Sequence, residues 1–149
     1  MSGASGVAVV LCLLAGVAGS VQVVVMGQFG ERIGIFGALA FSTIVTAVLA
    51  TATLLVVRRG LGAIGEGVRQ PPWLWIGGLM GLFIVLTITV AGARIGTAAT
   101  VGLLITGQLA MAAVIDRFGL LGSQQIHLGW PRLLGIALLA AGAALSLRK

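Results

Sequence analysis

Five apolar runs separated by short polar or charged stretches set the layout of this chain, and they fall at about residues 4–27, 33–57, 72–92, 95–115 and 131–147. A helix rises 1.5 Å per residue, so about twenty residues cross a hydrocarbon core of roughly 30 Å. The first four runs meet that length, and the last, about 17 residues, sits at the lower limit. The pattern predicts an all-α integral membrane protein with five transmembrane helices, forming a single membrane domain over residues 1–149.

The polar positions inside the runs narrow the picture. Gln22 and Gln108 carry amides that lipid cannot satisfy, so each must meet another helix, water or a solute. Ser42 and Thr46 join them as substrate-path candidates, against the plainer expectation that Ser and Thr in membrane helices bond back to their own backbone. Small residues recur every fourth position in three runs: Ala4, Ala8, Cys12, Gly16 and Ser20; Gly34, Ala38, Ser42, Thr46 and Ala50; Ala98, Gly102, Thr106 and Ala110. Such stripes let helix backbones approach closely and predict a bundle packed on small residues, with Gly16, Gly77, Gly81, Gly102 and Gly107 as packing positions.

The stretches between the runs predict how the helices connect. Gly27 to Arg32 reads as a short loop, so the second helix runs back beside the first. Residues 58–72 read as a longer loop with a short surface helix, and Pro71 and Pro72 suit the first turn of a new helix. Trp73 and Trp75 then lie at headgroup level. No internal duplication is expected.

Composition supports the membrane class and removes others. Only 8% of the 149 residues are charged, whereas 59% are hydrophobic and 24 are Gly, and the net charge of +6 lies at the ends of the runs. There the cations act as topology and lipid-headgroup anchors, not as a nucleic-acid surface. With five helices, Arg58, Arg59, Arg69, Arg117 and Arg132 share the side of the N-terminus, and Arg32, Arg94, Arg148 and Lys149 share the other. This bias favours a cytoplasmic N-terminus. No Lys or Arg precedes the first run, which argues against a cleaved signal peptide.

Catalytic chemistry finds no support: there is no Ser/His/Asp set, no carboxylate pair and no phosphate loop after a strand. No cofactor is called for, and His127 lacks companions at metal-ligand spacing. No carboxylate lies deep in a run. Asp116, near the end of the fourth, is the acidic candidate for either a coupling role or a structural ion pair, with Arg132 or Arg59 as partner.

Gly107-Gln108-Leu109, followed by Ile115-Asp116-x-Phe118-Gly119-Leu120-x-Gly122, resembles the YdcZ family of the drug/metabolite transporter superfamily. Trp73-Leu74-Trp75-Ile76-Gly77-Gly78, Arg94-x-Gly96, Gly135 and Gly142 fall where that family would place them. The resemblance implies a five-helix protein of the bacterial inner membrane, an exporter of small solutes that works as a homodimer or with a related five-helix protein. At two positions the chain departs from the family, with Met26 in place of an Asn and Thr46 in place of a Gly, as expected of the divergent half of a pair. The alternative from another class is a non-transporting membrane subunit that stabilises or regulates a partner.

Overall fold

The first helix shows how one residue sets a boundary. In the computed structural model, which describes residues 3–123, 125–127 and 129–147, α1 spans Gly3–Ile33. Its 31 residues are about 46 Å long, more than the hydrocarbon core requires. The expected loop over 27–32 is therefore corrected: these residues are the last turns of α1, with Gln28, Glu31 and Arg32 exposed beyond the apolar part. The break falls on Gly34, at φ 82° and ψ 153°. This backbone region is all but closed to residues with a Cβ. One residue thus joins α1 to α2 (Ile35–Arg58).

Arg59 closes α2 in the left-handed conformation, its backbone N–H donating to the Leu55 carbonyl. A short helix α3 (Gly62–Arg69) and a 3-10 turn (Pro72–Trp75) follow, matching the loop-with-helix and proline expectations. Trp73 and Trp75 are about half exposed, and the Trp75 indole N–H donates to the Gly67 carbonyl at 3.4 Å. Next come α4 (Ile76–Ile95) and α5 (Thr97–Phe118), separated by Gly96 alone at φ 83° and ψ 163°. After a 3-10 turn (Leu120–Gly122) the chain ends its described helices with α6 (Trp130–Ser146). The terminal cations Arg148 and Lys149 lie outside the described residues.

Every element among the described residues is helical. Four segments are long and apolar enough to cross a membrane: Gly6–Ile33, Ile35–Arg58, Pro72–Ile95 and Thr97–Phe118. Trp130–Ser146 is a shorter apolar helix of 17 residues, about 25 Å long.

The contacts group into two units, Val25–Val90 and Met1–Val24 with Ala91–Lys149. In the first, the Phe29 and Phe41 rings meet edge to face across the Gly34 break, with centroids 5.6 Å apart. Ala38 is fully buried there, and Gly30 of α1 lies against Thr89 of α4. In the second, Gly92 of α4 lies against Val23 of α1, and α5 packs along α6.

The buried face of α5 differs from the expected stripe. Ala98 and Ala110 are exposed, whereas Ala99 and Ala113 are buried and Gly102, Thr106 and Leu109 are half-buried between them. Steps of four advance 400° around a helix with 3.6 residues per turn, so a strict four-residue stripe drifts off a straight partner. Alternating steps of three and four keep the seam facing α6. A Cβ built on Gly102 would lie 3.0 Å from the Ala143 Cβ, so α5 and α6 come close together at this point.

Candidate functional site

The end of α5 and the start of α6 form a polar corner where three side-chain hydrogen bonds gather. Asp116 sits in the last turn of α5, where the helix dipole disfavours a carboxylate. Two features offset this. Arg132, in the first turn of α6, donates from Nη2 to Asp116 Oδ2 at 2.5 Å, and the carboxylate thereby comes to the favourable N-terminal end of α6. Of the two basic partners expected for Asp116, the structure brings Arg132 to it; Arg59 caps α2. The pair is mostly shielded, with side chains 22% and 31% exposed.

The intervening loop then folds back over the α5 terminus. Gly119 takes the left-handed conformation and its N–H donates to the Ile115 carbonyl. Ser123 Oγ donates to the same carbonyl at 3.3 Å, the Ile126 N–H to the Asp116 carbonyl at 2.9 Å and Gln125 Nε2 to the Phe118 carbonyl at 3.5 Å. Carbonyls that a helix end leaves without partners are thus capped by Gly119, Ser123, Gln125 and Ile126 of the loop. A Cβ on Gly119 would come within 2.8 Å of Gln125 Cγ, so both its conformation and its space call for glycine. His127 is exposed in this loop.

Beside the corner, an open groove of about 350 Å³ runs between α5 and α6. Ala113, Val114 and Phe118 line it from α5 and Leu133 and Ile136 from α6, and Arg117 brings the only charge in its lining. A second shallow groove of about 400 Å³ follows one face of α2, from Ala47 to Leu55.

The mid-span polar residues are arranged differently. Gln22 and Gln108 are both exposed on the single chain, and neither donates to nor accepts from another described side chain. Thr46 Oγ1 donates to the Ser42 carbonyl at 2.9 Å, and Thr106 Oγ1 to the Gly102 carbonyl at 2.7 Å. These hydroxyls are satisfied within their own helices, whereas the two amides find no partner among the described residues.

Among the expected packing glycines only Gly102 meets another helix among the described residues. A Cβ at Gly16, Gly77, Gly81 or Gly107 would meet nothing within 4 Å. Between helices the tightest glycine positions lie instead at Gly30, where a Cβ would fall 2.8 Å from Thr89 Cγ2, and at Gly92, where it would fall 2.9 Å from the Val23 carbonyl oxygen. Both open the same five-residue pattern, Gly30-Glu31-Arg32-Ile33-Gly34 and Gly92-Ala93-Arg94-Ile95-Gly96. Each ends on a helix break of nearly the same φ and ψ. Four residues past each break a buried residue, Ala38 or Thr100, donates its N–H to the glycine carbonyl. The expectation of no internal duplication misses this repeat, which the sequence carries as Gly-x-Arg-Ile-Gly recurring 62 residues on (96 minus 34).

No curated protein and no solved structure matches the chain. The family profile described as "Putative inner membrane exporter, YdcZ" matches residues 7–145, nearly the whole length. That span takes in the capped α5 end, the single-glycine breaks and four helices able to cross a membrane, and by it the chain belongs to the YdcZ family of multi-pass inner-membrane proteins, of the drug/metabolite transporter type.

Proposed function

We propose that the protein exports small solutes across the inner membrane as an assembly of two such chains, either a homodimer or a pair with a related five-helix protein. The observation that carries this reading is the exposure of Gln22 and Gln108. An amide held in hydrocarbon without a partner costs several kcal/mol, so a second chain or a solute path is the expected source of its hydrogen bonds. In this reading α6 crosses as the fifth span, with Trp130 at one interface. The N-terminus faces the cytoplasm with Arg58, Arg59, Arg69, Arg117 and Arg132.

The buried Met26 favours a second reading. At 4% exposure it fills with hydrocarbon a place where the family resemblance leads one to expect an Asn, as a chain that supports a transporting partner would. One experiment separates the two. The chain is expressed alone and with a related five-helix protein in drug-sensitive cells, which are challenged with a panel of toxic small molecules. Resistance that Gln108→Leu removes at equal membrane abundance supports export through this chain. Resistance that needs the chain but survives both Gln108→Leu and Gln22→Leu supports the subunit reading and overturns the first.

A further inference from the structure

The α5–α6 groove joins two kinds of surface in one place. Its walls are hydrocarbon apart from Arg117, and it reaches from Ala110 to Phe118, about 12 Å along α5. Arg117 lies at the end where α5 stops, the chain turns at Gly119, and the polar loop begins. Trp130, 75% exposed, opens α6 at that same end and suits the headgroup layer. A cation at headgroup depth above an apolar channel has the outline of a phospholipid, with the anion over its chain.

The charges near the groove point to a lipid with a net negative headgroup. Asp116 is already engaged by Arg132, and among the described residues Arg117 has no carboxylate within ion-pair distance. A zwitterionic lipid would bring an ammonium for which no unengaged carboxylate is present in the groove lining. A second copy of the chain is also a poor match, since it offers three acidic residues against nine cations and one of the three is Asp116.

We propose that the α5–α6 groove binds one anionic phospholipid, with its phosphate on Arg117 and an acyl chain along Ala113, Val114, Leu133 and Ile136. Basic pockets between membrane helices are suited to such headgroups. This rests on the membrane placement of α5 and α6 and not on the export reading.

The test uses the full chain purified in detergent and native mass spectrometry. Dioleoylphosphatidylglycerol and dioleoylphosphatidylcholine are added at equal concentration. The wild-type protein should retain the glycerol lipid in preference. Arg117→Gln should cut that preference about tenfold, the loss of one charge-assisted hydrogen bond, while Arg117→Lys keeps most of it. Ala110→Phe, at an exposed position on the groove wall, should lower retention of both lipids. Equal retention of the two lipids by the wild type, or an unchanged preference in Arg117→Gln, overturns the proposal. So does binding of free glycerol phosphate as tight as that of the lipid, or crosslinking between copies through Ala110→Cys in phosphatidylglycerol membranes, which would show a second chain in the groove.

Discussion

Arg132 holds Asp116 across the α5–α6 corner, its Nη2 2.5 Å from the carboxylate Oδ2, and one contact thereby joins the end of one helix to the start of the next. Neither side chain is more than about a third exposed, so solvent screens the pair only in part. Removing either partner leaves the other charge with an unfavourable helix end or without a counter-ion. Asp116→Asn and Arg132→Gln should each lower stability by about 1 kcal/mol, and the double variant should cost less than their sum. Thermal unfolding of the four proteins in detergent reads this out. Additive losses would show that the contact contributes no coupling.

Gly92 and Gly30 should be far less tolerant than the glycines of the Gly77-x-x-x-Gly81 pattern. A methyl at Gly92 meets the Val23 backbone oxygen, which cannot rotate away, and one at Gly30 meets the methyl of buried, stiff Thr89. Gly92→Ala should cost about 1–3 kcal/mol and Gly30→Ala somewhat less. Gly77→Ala and Gly81→Ala have open space and gain helix propensity, so the single chain should be unchanged or slightly more stable. A dimerisation assay on the latter two then reports whether that open face is a contact between chains.

The two helix breaks offer a matched pair. Gly34 and Gly96 lie in nearly the same glycine-only backbone region, and Ala at either adds about 1–3 kcal/mol of strain. The repeat predicts losses of similar size at the two sites. Protease accessibility of the junctions, together with thermal unfolding, measures both. A large loss at one and none at the other would show that the shared pattern lacks a shared structural role.

Long apolar runs, the short surface helix and the prolines before α4 are legible in the sequence because composition and local sterics dictate them, and the structure matches them. The first connection is not, because Gly27 to Arg32 has the composition of a turn, while a helix can run past the hydrocarbon with polar residues in its last turns. The conformation of Gly34 decides where that helix ends. Small-residue stripes indicate that helices come close without saying which face meets which partner, and so Gly102 is legible whereas Gly30 and Gly92 are not. The Asp116–Arg132 pair is within reach because a carboxylate at a helix C-terminus needs compensation and Arg132 stands at the opening of the next apolar run.

Topology gives a prediction that needs no purified protein. If α6 crosses the membrane, reporter fusions in the loop near Glu66 and after the C-terminal residue must report opposite sides, with the Glu66 loop cytoplasmic. Matching locations would leave α6 on the surface and the chain with four spans. Signals from both fusions on both sides would show insertion in two orientations, which suits a small charge bias.

The last prediction concerns the two amides. Gln22 lies in α1 and Gln108 in α5, each within an apolar run and each exposed on the single chain. In hydrocarbon their donors and acceptors are satisfied only by a second chain, a solute or water reaching the site. Replacing an amide by Leu therefore acts in opposite directions on chain and assembly. Gln108→Leu should leave the isolated chain as stable or more so, because a polar group leaves lipid. It should weaken association by roughly 0.6–2 kcal/mol, the range measured for hydrogen bonds between membrane helices. At the lower figure the dimer constant falls about threefold and at the upper about thirtyfold, both within reach of fluorescence energy transfer in vesicles at varied protein-to-lipid ratio. Gln22→Leu should act the same way if the amides meet across chains, and the double variant should then lose no more than either single one. If both variants associate like wild type but lose export, the amides face the solute and not the partner. If association and export are both unchanged, neither amide supports the dimeric exporter, and the reading built on their exposure falls.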